Sequence, residues 1–412
     1  MDLLKVVKIK EAEDIIFNQC QESGFNVGVE KIIIEDSISR VLAKDIVAKF
    51  DVPSFRRSTV DGYAVKTTDL SGASESVPTF LKIVGESKMG RTCDICINGG
   101  ECVYVPTGGM LPYGSDAIIM EEWVENFTDD KISVYKSIAS GENVVDVGED
   151  NKKGDILLKK GRKITSSDIG LLSSNGISEI EVYKTFNVSI ISTGDEIVTV
   201  NSIKEDGQIY DINSYTLLAE CKKSLFNVKN RYLIKDEKDK LKDAIIDSMS
   251  KSDVVVISGG SSKGKKDNTA KLIDELCSSG VLVHGIAIKP GKPTIIGYDE
   301  NTKCVVIGLP GHPVAAVLLF RILVEKLYEK LTCSTNLLNK IKVKGYMKEN
   351  VMQNTGRTTF QLVNIDDKYN VTPLYAKSGL INSMSKADGY IIIDENCEGY
   401  NVGEEVDVYL LN

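Results

Sequence analysis

The chain has 412 residues, of which 42% are apolar and 26% charged, and a formal charge of −9. This is the composition of a globular protein of roughly two to four domains, not of a disordered or fibrous chain. The negative balance argues against general binding to nucleic acid or an anionic membrane surface, and no apolar run approaches the ~20 residues of a bilayer span.

The N-terminus, "MDLLKVVKIKEAEDII", lacks the basic start and apolar core of a signal peptide. Nine scattered cysteines fit reduced thiols, so a cytoplasmic protein is expected. Cys93-x-x-Cys96 with Cys102 nearby lacks a fourth soft ligand, and ordinary thiols are expected there. With only two histidines, His284 and His312, any metal is expected to be hard and oxygen-ligated.

In chain order, residues 10–22 read as a short helix and "KIIIE" as a strand. A β pattern follows from Val52, with strands at Thr79–Val84, Glu101–Pro106, Asp116–Val124 and Lys131–Tyr135. A small helix at Ser167–Ser174 stops at Asn175-Gly176. From about Asn187 strands and helices alternate. The strands are Val188–Ser192, Val228–Ile234, Asp253–Ile257, Val281–Ile288 and Cys304–Ile307. The helices are Asn213–Leu225, a segment capped by Asp236 and running to Met249, Asn268–Ser278 and Pro313–Lys330. Such alternation predicts a mainly parallel sheet with helices on both faces. After Asn339 short alternating strands return, as in a small β domain.

Three glycine-bearing loops follow strands of the α/β region: "STGDE" (Ser192–Glu196), "SGGSSKGKKD" (Ser258–Asp267) and "GLPGHP" (Gly308–Pro313). Ligands of open α/β sheets bind at the carboxyl ends of strands, and helix N-termini there favour anions. The second loop nearly spells a phosphate loop, but Lys266 stands where a Ser or Thr hydroxyl must hold magnesium, so a P-loop NTPase is rejected. Residues 258–295 carry six lysines against three acids, a local positive surplus in an acidic chain. Within "IKPGKP", Pro290 and Pro293 stiffen the backbone around Lys289 and Lys292, which suits a small, compact anion. Asp195, Glu196, Asp211 and Asp267 are the counterpart: carboxylates from several loops, together with substrate phosphates, are a common magnesium site.

Eight strings occur in one order: "STVDGYAV", "VPTGGMLPYGSDAIIMEE", "GENVVDVGED", "STGDEI", "GQIYDIN", "SGGSSKGKKD", "AIKPGKP" and "GLPGHPVAA". Together they resemble the molybdopterin molybdenumtransferase family, whose relatives include bacterial MoeA and the gephyrin E domain. The resemblance implies an elongated homodimer of multidomain α/β plus β class. Its parts would be a discontinuous connecting domain (1–50 plus 145–185), an inserted β domain (51–144), an α/β molybdopterin-binding domain (186–335) and a C-terminal β-barrel domain (338–412). The implied reaction is magnesium-dependent insertion of molybdate into adenylylated molybdopterin, releasing AMP, with handover from a molybdopterin adenylyltransferase. Lys289, Pro290, Lys292 and Pro293 would take molybdate. Gly259, Gly260, Ser262, Gly264, Pro310 and Gly311 would cradle the pterin phosphates, and Glu196, Asp211 and Asp267 would hold Mg2+. Asp61, Thr107 and Asp150 match active-site positions, and Arg357 and Ser383 match positions associated with the oxyanion. His312 departs from a frequent Asn, and the second loop is unusually lysine-rich. Two other readings are a non-catalytic scaffold of gephyrin type and a molybdopterin adenylyltransferase.

Overall fold

The structure, a computed structural model, describes residues 6–259, 268–334, 342–375 and 377–411. The chain divides into two compact units. One is drawn from Met1–Lys44, Lys160–Thr165 and Ile180–Asn412, the other from Asp45–Lys159 and Ser166–Glu179.

The first unit is built on a six-stranded sheet. Its elements are β1 (Asn187–Thr193), α1 (Asn213–Lys223), β2 (Asn227–Ile234), α2 (Lys238–Met249), β3 (Val254–Ser258), α3 (Asn268–Leu276), β4 (Val281–His284), β5 (Ile288–Lys289), β6 (Ile295–Asp299) and β7 (Cys304–Leu309). The strand order is β2-β1-β3-β7-β6-β4. The first three pairings are parallel and the last two antiparallel. β3 is buried along its whole length because both faces are covered. Val254 and Val256 pack with Leu217 of α1 and Leu318, while Val255 and Ile257 pack with Leu241 and Ile245 of α2 and Ile273 of α3. This two-sided burial explains why β3 reads as an unbroken apolar run.

Some expectations from sequence need correction. The single strand expected over Val281–Ile288 is two, β4 and β5, broken at Gly285 (φ 104°) and belonging to different sheets. Apolarity alone could not separate them, since both are buried-type segments. Asp236 does not cap α2. Its carboxylate accepts the Thr193 hydroxyl at 2.9 Å, and Glu237 takes the cap position. The final helix of this region starts with Pro313 at its first turn, as expected, but contains a π-helical segment, Phe320–Glu325, before resuming at Lys326.

The same unit carries a closed β-barrel made of β8 (Lys342–Met347), β9 (Thr358–Ile365), β10 (Asn370–Pro373), β11 (Gly389–Ile393) and β12 (Glu405–Leu410). β9 pairs with both β10 and β11, and β8 and β12 complete the ring. β5 is added to this barrel by a parallel ladder with β9. The N-terminal helix Ile9–Glu22 buries Ala12, Ile16 and Cys20, spaced four apart on one stripe, in the core that also holds Phe360 and Leu362 of β9.

The second unit centres on another six-stranded sheet. Its order is Ala117–Met120, Gly62–Val65, Glu101–Val105, Thr79–Glu86, Lys131–Val134 and Val124–Thr128. The strand expected over Asp116–Val124 is therefore two, separated by a 3-10 turn at Glu121–Trp123. The helix Ser166–Ser174 ends as its sequence indicates, with Gly176 at φ 63°. Among the described residues no helix is long and apolar enough to cross a membrane.

Candidate active site

A cavity of about 1370 Å³ opens in the first unit where the carboxyl ends of β1, β3 and β7 meet β5 and the barrel. Thr193 and Gly194 reach it from β1, Ser258 and Gly259 from β3, and Pro310, Gly311 and His312 from β7. The strand-end placement predicted from the alternating pattern thus holds for the turns at Gly194 and Gly311 and for Ser258–Gly259, the described start of the second loop. Gly259 has φ 108°, and a Cβ there would collide with the Thr193 carbonyl oxygen, so only glycine lets the two strand ends approach so closely.

The opposite wall comes from Ile288–Pro293 and the barrel. Lys289, Pro290, Gly291, Lys292 and Pro293 all line the cavity, as do Arg357 and Ser383. Lys289 lies opposite Thr359 in the β5–β9 ladder, and the Thr358 amide donates to Ala287 O at 2.9 Å. The lysine segment is therefore fixed by barrel hydrogen bonds as well as by its prolines. Ser383 donates its hydroxyl to Leu380 O at 2.6 Å. Four basic side chains line the cavity (Lys289, Lys292, Arg357 and Lys377) against two acids, Glu196 and Asp236. Among the described residues none of the four is bridged to a carboxylate. Like charges gathered without counterions raise the local potential and favour an anionic ligand.

The acids expected to hold magnesium separate. Glu196 is exposed and lines the cavity. Asp211 is buried and absent from the lining. Its carboxylate accepts the hydroxyls of Ser192 (3.1 Å) and Ser214 (2.5 Å) and the Ser214 amide (3.0 Å), which ties β1 to the start of α1. Gly260, Ser262, Gly264 and Asp267 lie outside the described residues. No group of three potential metal-ligating side chains converges among the described residues.

Asp61, Thr107 and Asp150 belong to the second unit. Gly62 pairs with Val105, so the residues flanking these strands meet, and the Thr107 amide donates to Asp61 Oδ1 at 2.8 Å. Asp150 is exposed, and its amide donates to Val52 O at 3.0 Å.

Asn213 escaped the sequence reading. Its side-chain amide donates to Ser258 Oγ (2.6 Å) and Gly311 O (2.9 Å), joining the ends of β3 and β7. Its Oδ1 is buried with no protein donor among the described residues, in a residue that lines the cavity. A buried acceptor left open in this way suits a donor on the ligand. In the sequence its one local signal is its place in "GQIYDIN", two residues after Asp211.

Family models match three successive stretches. They are the MoeA N-terminal region (domain I and II) over residues 7–176, a probable molybdopterin binding domain over 189–330, and the MoeA C-terminal region (domain IV) over 344–411. A putative molybdopterin biosynthesis protein of Methanocaldococcus jannaschii is 37% identical over 422 residues, covering 100% of both chains. The chain belongs to the MoeA family. A MoeA relative from Haemophilus influenzae, named molybdopterin molybdenumtransferase, is 32% identical over 95% of this chain and 96% of its own. Two crystal structures of MoeA proteins from Pyrococcus horikoshii share the fold. One has TM-score 0.84 at 30% identity (98% of this chain, 100% of that one), the other 0.79 at 37% (99% and 100%).

Proposed function

We propose that this MoeA-family chain is a molybdopterin molybdenumtransferase that inserts molybdate into adenylylated molybdopterin and releases AMP. The observation that supports this reading best is the set of four unbridged basic side chains in one cavity at the carboxyl ends of three parallel strands. Molybdate is a compact dianion and the second substrate carries a pyrophosphate. Lys289 and Lys292 take molybdate, with Arg357 and Ser383 beside them on the barrel side. Gly259 and the Pro310–Gly311 turn present backbone to the phosphates, and Asn213 Oδ1 accepts a hydrogen bond from the bound pterin compound.

Magnesium is part of the same proposal. Glu196 fits it as an exposed hard oxygen donor in the cavity, in keeping with a cation that takes one or two carboxylates, substrate phosphates and water. Asp211, with its oxygens engaged by Ser192 and Ser214, serves by fixing the loop that presents Glu196. When bound, the cation neutralises charge as the phosphoanhydride breaks. A cytoplasmic homodimer, handover from a molybdopterin adenylyltransferase, and supply of Asp61, Thr107 and Asp150 by the second subunit belong to this reading.

The test is incubation of the purified protein with adenylylated molybdopterin, Mg2+ and molybdate, following AMP and cofactor. Molybdate-dependent AMP release, lost in Asp267→Ala, is expected. AMP release that ignores both molybdate and tungstate would overturn the proposal.

A further inference from the structure

We infer that Lys377 is a contact for the substrate's phosphate groups and that His312 is the positioning residue that aims it. The inference rests on the function proposed above and adds a residue that no motif pointed to.

Lys377 is exposed, lines the cavity and has no carboxylate partner among the described residues. A free lysine on a flexible stem has little directional value unless its backbone is held, because ordering the stem costs side-chain entropy. Here the backbone is held. The Leu380 amide donates to Lys377 O at 2.9 Å and closes a turn. The Val314 amide donates to Ser378 O at 3.3 Å, and Ser378 Oγ is hydrogen-bonded to His312 Nδ1 at 2.8 Å. A Cβ on Gly379 would lie 3.8 Å from His312 Cδ2, so the turn packs against the imidazole ring. Two bonds and a packing contact thus fasten the Lys377 turn to His312 and Val314.

The four cations therefore divide by anchorage. Lys289 and Lys292 hang from the ladder that places Ile288 and Lys289 opposite Thr358 and Thr359, next to Arg357. Lys377 is tied instead to the turn at the end of β7. Two separate anchorages of positive charge match two separate anions, an oxometalate and a pyrophosphate. A lysine ammonium serves phosphate as a point charge that needs no bidentate geometry.

The test uses Lys377→Gln, His312→Ala and His312→Asn in the full-length protein. KM is measured separately for adenylylated molybdopterin and for molybdate, together with equilibrium binding of adenylylated molybdopterin without molybdate. Lys377→Gln is expected to raise Kd and KM for the pterin substrate about ten-fold or more, as loss of one charge-assisted contact implies, with molybdate KM and kcat within about two-fold. His312→Ala should move the same two constants by a smaller factor. His312→Asn, whose amide can still bond Ser378, should restore them. Thermal unfolding midpoints matching the wild type would show that the fold is intact. A rise confined to molybdate KM, or unchanged pterin binding in Lys377→Gln, would overturn the inference. If the wild type released no molybdate-dependent AMP, the proposed function would fail while the binding titration alone still decided the role of Lys377.

Discussion

Lys289 stands directly across from Thr359, so the stiffest cationic segment of the chain is a strand of the barrel although the sequence before it belongs to the α/β sheet. Lys292 follows three residues later, exposed and with no carboxylate partner among the described residues. Replacing it removes charge from the cavity without removing a structural contact. Lys292→Gln should raise KM for molybdate about ten-fold or more, the effect of one lost charge-assisted contact. The unfolding midpoint should stay unchanged, as read by steady-state kinetics beside a thermal melt.

Gly291 holds the bend between those lysines. Its φ is 124°, and a Cβ there would lie 2.8 Å from Leu319 Cδ1 and 3.3 Å from Ile288 Cγ2. Gly291→Ala combines backbone strain with a core clash, and about 2 kcal/mol of destabilisation is expected. Urea unfolding measures it. A variant as stable as the wild type would mean that the bend relaxes freely.

How far the sequence carries can be judged residue by residue. The parallel core was legible because Val254–Ser258 is apolar on both faces and lies between amphipathic helices. The turns at Gly194, Gly259 and Gly311 were legible because strand ends in such sheets are where ligands bind. The join between β5 and β9 was not, because pairing partners seventy residues apart leave no local pattern. The divergence of Asp211 from Glu196 was equally hidden. Glu196 follows β1 and Asp211 lies just before α1, and only the positions of Ser192 and Ser214 decide which of them is hydrogen-bonded into the fold. Asn213 and Lys377 were missed for a related reason: an amide and a lone lysine are too common to stand out until the cavity collects them.

Glu325 gives the protein a pH signature. It lies in the π-helical segment, partly buried, and accepts the Ser224 hydroxyl at 2.5 Å. Burial raises its pKa above the usual carboxylate value. The Ser224 bond and Arg321 oppose that rise, and Glu220 adds to it. A raised acid pKa means that the folded state holds this proton more tightly than the unfolded chain. Its charge therefore opposes folding above the raised pKa, and the penalty fades as pH falls toward the unfolded value near 4.5. Glu325→Gln keeps an acceptor for Ser224 and should unfold at a higher temperature than the wild type at pH 7. The two should converge as pH approaches 4. Melting curves across that range check both halves of the statement.

The thiols should fall into two kinetic classes. Burial pushes Cys20, Cys102, Cys221 and Cys277 up to about 12, and Cys304 well above its ordinary value. At pH 8 a thiol of pKa 12 is ionised to only about one part in ten thousand, and only the thiolate is nucleophilic. Cys96 and Cys333 are exposed. Brief iodoacetamide treatment of the native protein, read by peptide mass spectrometry, should label Cys96 and Cys333 and leave Cys20, Cys102, Cys221, Cys277 and Cys304 intact until the protein is denatured.

The ladder between Ile288–Lys289 and Thr358–Thr359 also sets how this protein can be dissected. A fragment truncated after Leu331 would keep every strand of the open sheet and all three glycine turns, yet its two proline-flanked cations would dangle without a scaffold. Recombination that swaps the last eighty or so residues between relatives would therefore exchange part of the cationic cavity wall itself, not a dispensable appendage.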